Sequence, residues 1–408
     1  MSRSTGPLSG IRVADFFWLI AGPATSRILA DYGADVIKIE SAARVDQIRD
    51  GGVWPPPDRL TATSRNSVFN DCNTNKRSIT LDLNHPEAIE IAKQLVACCD
   101  IVTNNFKGDR MERWGLGYEE LRRIKPDVIM LTMPVMGTTG PYLSYGANGN
   151  GVIAAGGINF GMGFPERPPT GMGPLYSDFA TPYVAASALM SALHHRERTG
   201  EGTFIDLAQF ESTVGLLGPQ ILEYTANGSL PERRGNRSAD WAPHGAYPCA
   251  GEDRWIAIAV TSDEEWVACC EAMGQHDVSA DKRYATNRAR LDHAAELDRL
   301  VESWTSDWDA WDLTHHLQQS GVAAGVVEDL EDMLTRDPHL RERHFEDIPG
   351  HNDGLQYITH RQPARLDGQD VPLRRPPDMG EHNQEVFEEL LGISGQQYAE
   401  LLADGVVY

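Results

Sequence analysis

Apolar positions along this chain come in short runs punctuated by turn-forming residues. "IRVADFFWLIAGP" opens with a strand-like run at 11–16, turns at Gly22-Pro23 and passes into the helical stretch "ATSRILADYGAD", which Gly33 closes. The next strand is "VIKIE" at 36–40. The same order returns in "RSITLDL" at 77–83, a helix from Pro86 to Cys98, "DIVTNNF" at 100–106 and "DVIMLTM" at 127–133. Strands alternating with helical patterns of this length predict a parallel sheet covered by helices, so the first half is α/β and Rossmann-like.

A small-residue and Leu/Met pattern, "ATPYVAASALMSALHH" at 180–195, predicts a buried helix, followed by the strand "TFIDLAQF" and a further helix. At 226–246 the chain turns rich in Gly, Pro, Asn and Arg and loses its periodicity, as linkers and irregular loops do. One strand at 255–260 and helical patterns at 262–273, 285–304 and 307–319 then predict a smaller α/β domain. The partition is a large domain over 1–225, a linker over 226–246, a small domain over 247–335 and a C-terminal segment over 336–408 that returns to the large domain.

Length and composition narrow the chemistry. The chain has 408 residues, 41% hydrophobic and 23% charged, which is the make-up of a soluble globular protein of two or three units. No apolar run approaches bilayer length, and "MSRSTGPLSG" lacks a hydrophobic leader, so a cytoplasmic protein without membrane contact is expected. A net charge of −23 argues against nucleic acid as a partner and leaves room for a small anionic ligand only where cations gather. Six cysteines, among them the adjacent pairs Cys98-Cys99 and Cys269-Cys270, suit neither a disulfide framework nor a zinc site, and the 13 histidines form no HExxH pattern; no metal is expected. "IAGPAT" has one glycine where a dinucleotide fingerprint needs three, and "GANGNGVIAAGGINFGMG" lacks the GK[ST] of a phosphate-binding loop.

"GPLYSDFATP" at 173–182 sets Asp178 just before the long helical pattern. An aspartate there is a helix cap by preference. It is also a carboxylate already ionised at neutral pH, able to act as a nucleophile without a neighbouring base. Both roles are compatible.

Six strings in order resemble one family, the class III coenzyme A transferases of the formyl-CoA and carnitine-CoA transferase type. They are "GPATSRILADYGADVIKIE", "NKRSITLDL", "NNFKGDRMERWGLGYEEL", "SDFATPYVAASALMSALHHRERTGEGTFIDLAQFES", "GVAAGVVEDLEDMLTRDPHL" and "MGEHNQEVFEELLG". The resemblance implies that Asp178 is the catalytic carboxylate, forming an aspartyl anhydride and then an aspartyl-CoA thioester. It implies that Lys76 and Arg113 lie at the nucleotide end of CoA, that Asn105 and Phe106 lie near its chain, and that Ile20 and Ala21 lie beside the reacting centre. Lys38, Arg77, Lys107 and Arg110 are further candidate cations, and N–H groups of the glycine-rich stretch are candidate oxyanion donors. Coenzyme A and its acyl thioesters are then substrates, with no tightly bound cofactor, and an acyl-CoA donor and a carboxylic acid acceptor are the partners. The fold implied is an interlocked, ring-shaped homodimer, with a heteromeric partner subunit as a variant.

Three departures bear on the substrate. The position after "VIKIE", basic in some relatives, is Ser41; the glutamine that the formyl-CoA enzyme carries before Ala21 is Ile20; and its glycine loop is replaced by "NRSADWAPHGAYP", whose Trp241 and His244 are candidate pocket residues. These point to an acceptor bulkier than oxalate. An α-methylacyl-CoA racemase, which shares the fold, would carry a histidine in "TTGPYLSYGANGNG"; Tyr142 and Tyr145 stand there instead. A non-catalytic subunit of a heteromeric transferase is the remaining alternative.

Overall fold

A computed structural model describes residues 6–49, 66–173, 175–350, 356–368 and 371–408; residues 1–5 of the segment read above for a leader lie outside them. The chain divides into two compact units. The first comprises Met1–Phe160, Gly171–Leu230 and His344–Tyr408, and the second comprises Gly161–Thr170 and Pro231–Arg343.

The first unit is built on six parallel strands: β1 Arg12–Phe16, β2 Asp35–Glu40, β3 Arg77–Thr80, β4 Ile101–Asn104, β5 Ile129–Thr132 and β6 Thr203–Asp206. Their spatial order is β3-β2-β1-β4-β5-β6. β1 is buried along nearly its whole length, as a parallel strand covered on both faces must be. Alternation sends Val13 to one face with Leu29, Ala30, Ala185 and Leu189. Ala14 and Phe16 go to the other with Ala88, Ala92, Leu95, Leu121 and the C-terminal Val386, Phe387, Val406 and Val407. Helices α1 (Ala21–Asp31) and α7 (Tyr176–Thr199) therefore cover one face. α3 (Pro86–Ala97) and α5 (Tyr118–Ile124) cover the other. Between them run the short α2 (Ser67–Cys72), α4 (Arg110–Arg113) and α6 (Gly149–Ala155). α8 (Gln209–Gly215) and α9 (Gly218–Asn227) follow β6.

The expected turn at Gly22-Pro23 is the first turn of α1. Proline is tolerated there because the N–H it lacks would have no partner inside the helix. The glycine-rich stretch is partly helical: Gly151 N–H donates to the Asn148 side chain, and Val152, Gly156 and Gly157 N–H groups donate to the carbonyls of Asn148, Val152 and Ala154. Those N–H groups are committed and make poor oxyanion donors.

In the second unit a three-stranded antiparallel sheet, β7 (His244–Pro248), β8 (Trp255–Ala259) and β9 (Ala323–Val326), packs with α10 (Asp263–Ala272), α11 (Ala294–Thr305) and α12 (Ala310–Gln319) around Trp266, Ile256, Leu297 and Leu313. Cys269 and Cys270 are core thiols there. β7 begins inside the segment expected as linker. His244 stands on it with Nδ1 at 3.0 Å from the Asn236 carbonyl oxygen.

Candidate active site

β1 pairs with β2 on one side and β4 on the other, so the loops leaving β1 and β4 part in opposite directions and open a crevice at the C-terminal edge of the sheet. Side chains hold the loop after β1 in place group by group. Asp15 accepts the Phe17 N–H at 3.2 Å and Lys38 Nζ donates to the Phe17 carbonyl at 2.7 Å. Asn105 accepts the Trp18 N–H at 3.0 Å and donates to the Trp18 carbonyl at 2.7 Å. Asp46 accepts the Leu19 N–H at 3.2 Å. Leu19 itself is in the left-handed region, φ 63°, a conformation that costs a branched side chain on the order of 1–3 kcal/mol and that these bonds over-determine.

The crevice holds a cavity of about 310 Å³. A row of rings lines it: Trp18 meets Phe106 edge-on at 5.9 Å, and Phe106 meets Trp114 at 5.4 Å. Arg44, Lys107, Arg110 and Arg113 surround the row. Apolar surface to take a flat ring, with cations at its rim, suits a nucleotide carrying phosphates. Phe106 and Arg113 line the cavity, and Asn105 stands one layer behind it, fixing Trp18. Arg113 also pairs with Asp109 at 2.9 Å.

The placement of Lys76 at the nucleotide end needs correction. Lys76 is buried and donates to the Pro23 carbonyl at 2.8 Å, Ser26 Oγ at 2.8 Å, Asn73 Oδ1 at 2.9 Å and Asp15 Oδ2 at 3.3 Å. Three protons facing four acceptors leave none for a phosphate. Burial pulls its ammonium down to about 8, against the opposing attraction of Asp15. Lys38 is likewise internal, and Arg77 is engaged with Asp35 and Glu385.

Asp178 lies on the far side of the same loop. Ile20 belongs to a buried cluster with Ala24, Ile48 and Phe69 against which Leu175 packs, and Leu175 starts α7; Ala21 opens α1. Leu175 is also left-handed, φ 70°, and its carbonyl accepts the N–H of Asp178 at 2.9 Å. The helix begins at Tyr176, four residues before its expected start, so Asp178 sits inside the first turn and its side chain caps nothing.

The carboxylate is 8% exposed and its two oxygens differ. Oδ1 accepts from Gln209 Nε2 at 2.9 Å; Oδ2 has no partner among the described residues. It faces Gly149, where a Cβ would come within 1.8 Å of it. Burial without a countercharge pushes Asp178 above the ordinary carboxylate range, and the Gln209 bond pulls it part of the way back. With one oxygen oriented and the other bare in a buried site, such a carboxylate is able to act as a nucleophile. Gln209, Trp18 and Arg44 had no signal in the sequence, and Gly149 was marked only as part of the glycine-rich stretch, because each acquires its place only when segments far apart in the chain are brought together.

Known proteins resemble this chain over nearly its whole length. Succinyl-CoA–D-citramalate CoA-transferase of Chloroflexus aurantiacus is 36% identical over 99% of both chains. Succinate–glutarate CoA-transferase of Agrobacterium fabrum is 33% identical over 96% of this chain and 97% of its own. The crystal structure of a CaiB/BaiF family protein from Brucella suis superposes with a TM-score of 0.87 at 34% identity, covering 95% of this chain and all of that one. The first two of these relatives are named as CoA-transferases. Matching the pattern of that family over residues 8–383, and sharing its parallel sheet with the solved structure, the chain belongs to CoA-transferase family III, enzymes that move CoA between acyl-CoA and carboxylic acids.

Proposed function

We propose that the protein exchanges CoA between succinyl-CoA and a second dicarboxylic acid larger than oxalate, through covalent intermediates on Asp178. The bare Oδ2 of a buried, oriented carboxylate is the observation that carries this reading. Oδ2 attacks the thioester carbonyl, the C–S bond breaks, and an aspartyl-succinyl anhydride and CoA thiolate result. The thiolate attacks the aspartyl carbonyl and releases succinate, leaving an aspartyl-CoA thioester. The acceptor carboxylate attacks that thioester and expels the thiolate, which then takes the acceptor's acyl group and frees Asp178. Overall one CoA thioester is broken and one is formed, so the exchange consumes no ATP. An apolar Ile20 beside the centre favours the longer acid, and D-citramalate and glutarate, named for the two relatives, are both longer than oxalate.

Borohydride added during turnover with succinyl-CoA should convert Asp178 to the primary alcohol, read by peptide mass spectrometry. An unmodified Asp178 under conditions of full turnover would sink the covalent route. Native mass spectrometry of the same sample reports assembly, for which we propose a homodimer: the outward face of α7 carries Tyr176, Phe179 and Tyr183, each at least 40% exposed, and no residue of α9 is buried, Leu222 being 68% exposed. A single chain per particle would remove that part of the reading.

The attacking species is the carboxylate, and its folded pKa is raised. Activity is therefore expected to fall, as pH decreases, above the value near 3.9 of an ordinary aspartate. Gln209→Leu removes the bond that favours the charged form and should move this acid limb further up in pH, with kcat lowered about tenfold. A limb that stays in place in the pH–rate profile would mean that another group titrates.

A further inference from the structure

Resting on that reading, we propose that Lys76 is a positioning residue: its ammonium ties together the two ends of the loop between β1 and α1, and exchange requires its proton. That loop brings Trp18 to the cavity and Ile20 to the cluster against which Leu175 packs. The chain enters it at Asp15, on β1, and leaves it in the first turn of α1, where Pro23 sits. Lys76 Nζ meets both, at 3.3 Å from Asp15 Oδ2 and 2.8 Å from the Pro23 carbonyl oxygen. Its other contacts, Ser26 Oγ at 2.8 Å and Asn73 Oδ1 at 2.9 Å, add the second turn of α1 and the chain just after α2. One buried point charge therefore fixes a loop on which two parts of the site depend.

Asp15 passes the constraint on. Besides Lys76, its Oδ2 accepts from Ser26 Oγ at 2.7 Å, while Oδ1 accepts from Thr103 Oγ1 at 2.9 Å and from the Phe17 N–H at 3.2 Å. Among the described residues Lys76 is its one ion-pair partner. Two further titratable groups act on Lys76. Lys38 of β2 repels it and itself holds the Phe17 carbonyl, and the Cys72 thiol of α2 stays neutral because burial pushes it up. A neutral amine in this place has two N–H donors for four acceptors and turns a lone pair toward oxygen, so one end of the loop is released and Asp15 loses its countercharge. With the ammonium already pulled down to about 8, that change falls close to neutral pH. The titration does not itself unfold the chain. A folded value below the unfolded one near 10.4 means that proton loss between the two favours the folded state.

Profiles of kcat/KM for succinyl-CoA from about pH 6 to about pH 9.5, taken on the wild type, Lys76→Met and Lys76→Arg, test the assignment. The wild type should lose about tenfold between about pH 7 and about pH 9 and recover on return to pH 7, an alkaline limb opposite the acid limb of Asp178. Lys76→Met has no proton to lose: its activity at pH 7 should lie about tenfold or more below the wild type and stay flat up to about pH 9.5. Lys76→Arg keeps a cation that does not titrate in this range and should carry its pH 7 activity past about pH 9. A limb near pH 8 that persists in either variant would assign it to another group, such as Lys38, and overturn the proposal, as would wild-type activity at pH 7 in Lys76→Met. A wild type whose profile is flat up to about pH 9 would also overturn it, and that outcome needs no variant to fold. A wild type that exchanges no CoA at any pH would instead overturn the CoA-transferase reading on which the proposal rests.

Discussion

Asp178→Ala lowers CoA exchange by at least about 10⁴-fold and leaves the affinity for CoA within about twofold, because the variant removes the attacking oxygen and none of the residues lining the nucleotide cavity. Asp178→Asn is the sharper probe. It preserves shape, and its amide oxygen still accepts from Gln209, but it has no nucleophilic oxygen to offer. It also relieves a buried charge that only one hydrogen bond compensates, so the thermal midpoint should stay level or rise while activity disappears. Exchange above about 1% of wild type in the asparagine variant, measured by conversion of succinyl-CoA, would place the covalent step on another group.

Gly149→Ala is expected to reduce kcat by about 10²- to 10³-fold with little change in KM for the thioester, since misplacing a reacting atom by an ångström costs on that order. The new methyl group would lie 1.8 Å from Asp178 Oδ2, against a normal separation of over 3 Å, and the carboxylate must rotate away from its aligned position. The backbone raises no objection: Gly149 is the first residue of α6 and is not left-handed, and alanine is the better helix former. Stability and activity should therefore separate. Gly151→Ala, where the nearest atom would be Asn148 Oδ1 at 3.4 Å, serves as the control and should remain active. Equal activities of the two variants would mean that Oδ2 does not point at Gly149 in solution.

The strands of the first unit were legible because a parallel sheet covered on both faces writes itself as short continuous apolar runs, as "VIKIE" and "IMLT" do. The beginning of α7 was not. Tyr176 and Ser177 carry no helical periodicity, and the left-handed Leu175 that starts the helix is a residue type that does not announce such a turn. Lys76 shows why cations mislead in an acidic chain: its acceptors Asp15, Pro23, Ser26 and Asn73 lie up to 61 positions away, and nothing in "NKRSITLDL" distinguishes a lysine turned inward from one facing a phosphate. Asp178 was singled out through a resemblance. Its surroundings, Gln209 on one oxygen and Gly149 against the other, came only from the fold.

The loop from Phe17 to Leu19 is fastened through its own peptide groups by side chains that leave four separate places in the chain: Asp15, Lys38, Asp46 and Asn105. Loops are usually where a scaffold accepts change. This one is closed to it: an insertion or a shift in register would strand several buried polar groups at once, whatever side chains were chosen. On the proposed mechanism, divergence toward new acids is then carried by side chains around Asp178 and not by this loop. An engineer wishing to retarget the enzyme would do well to vary position 20 and leave 17–19 untouched.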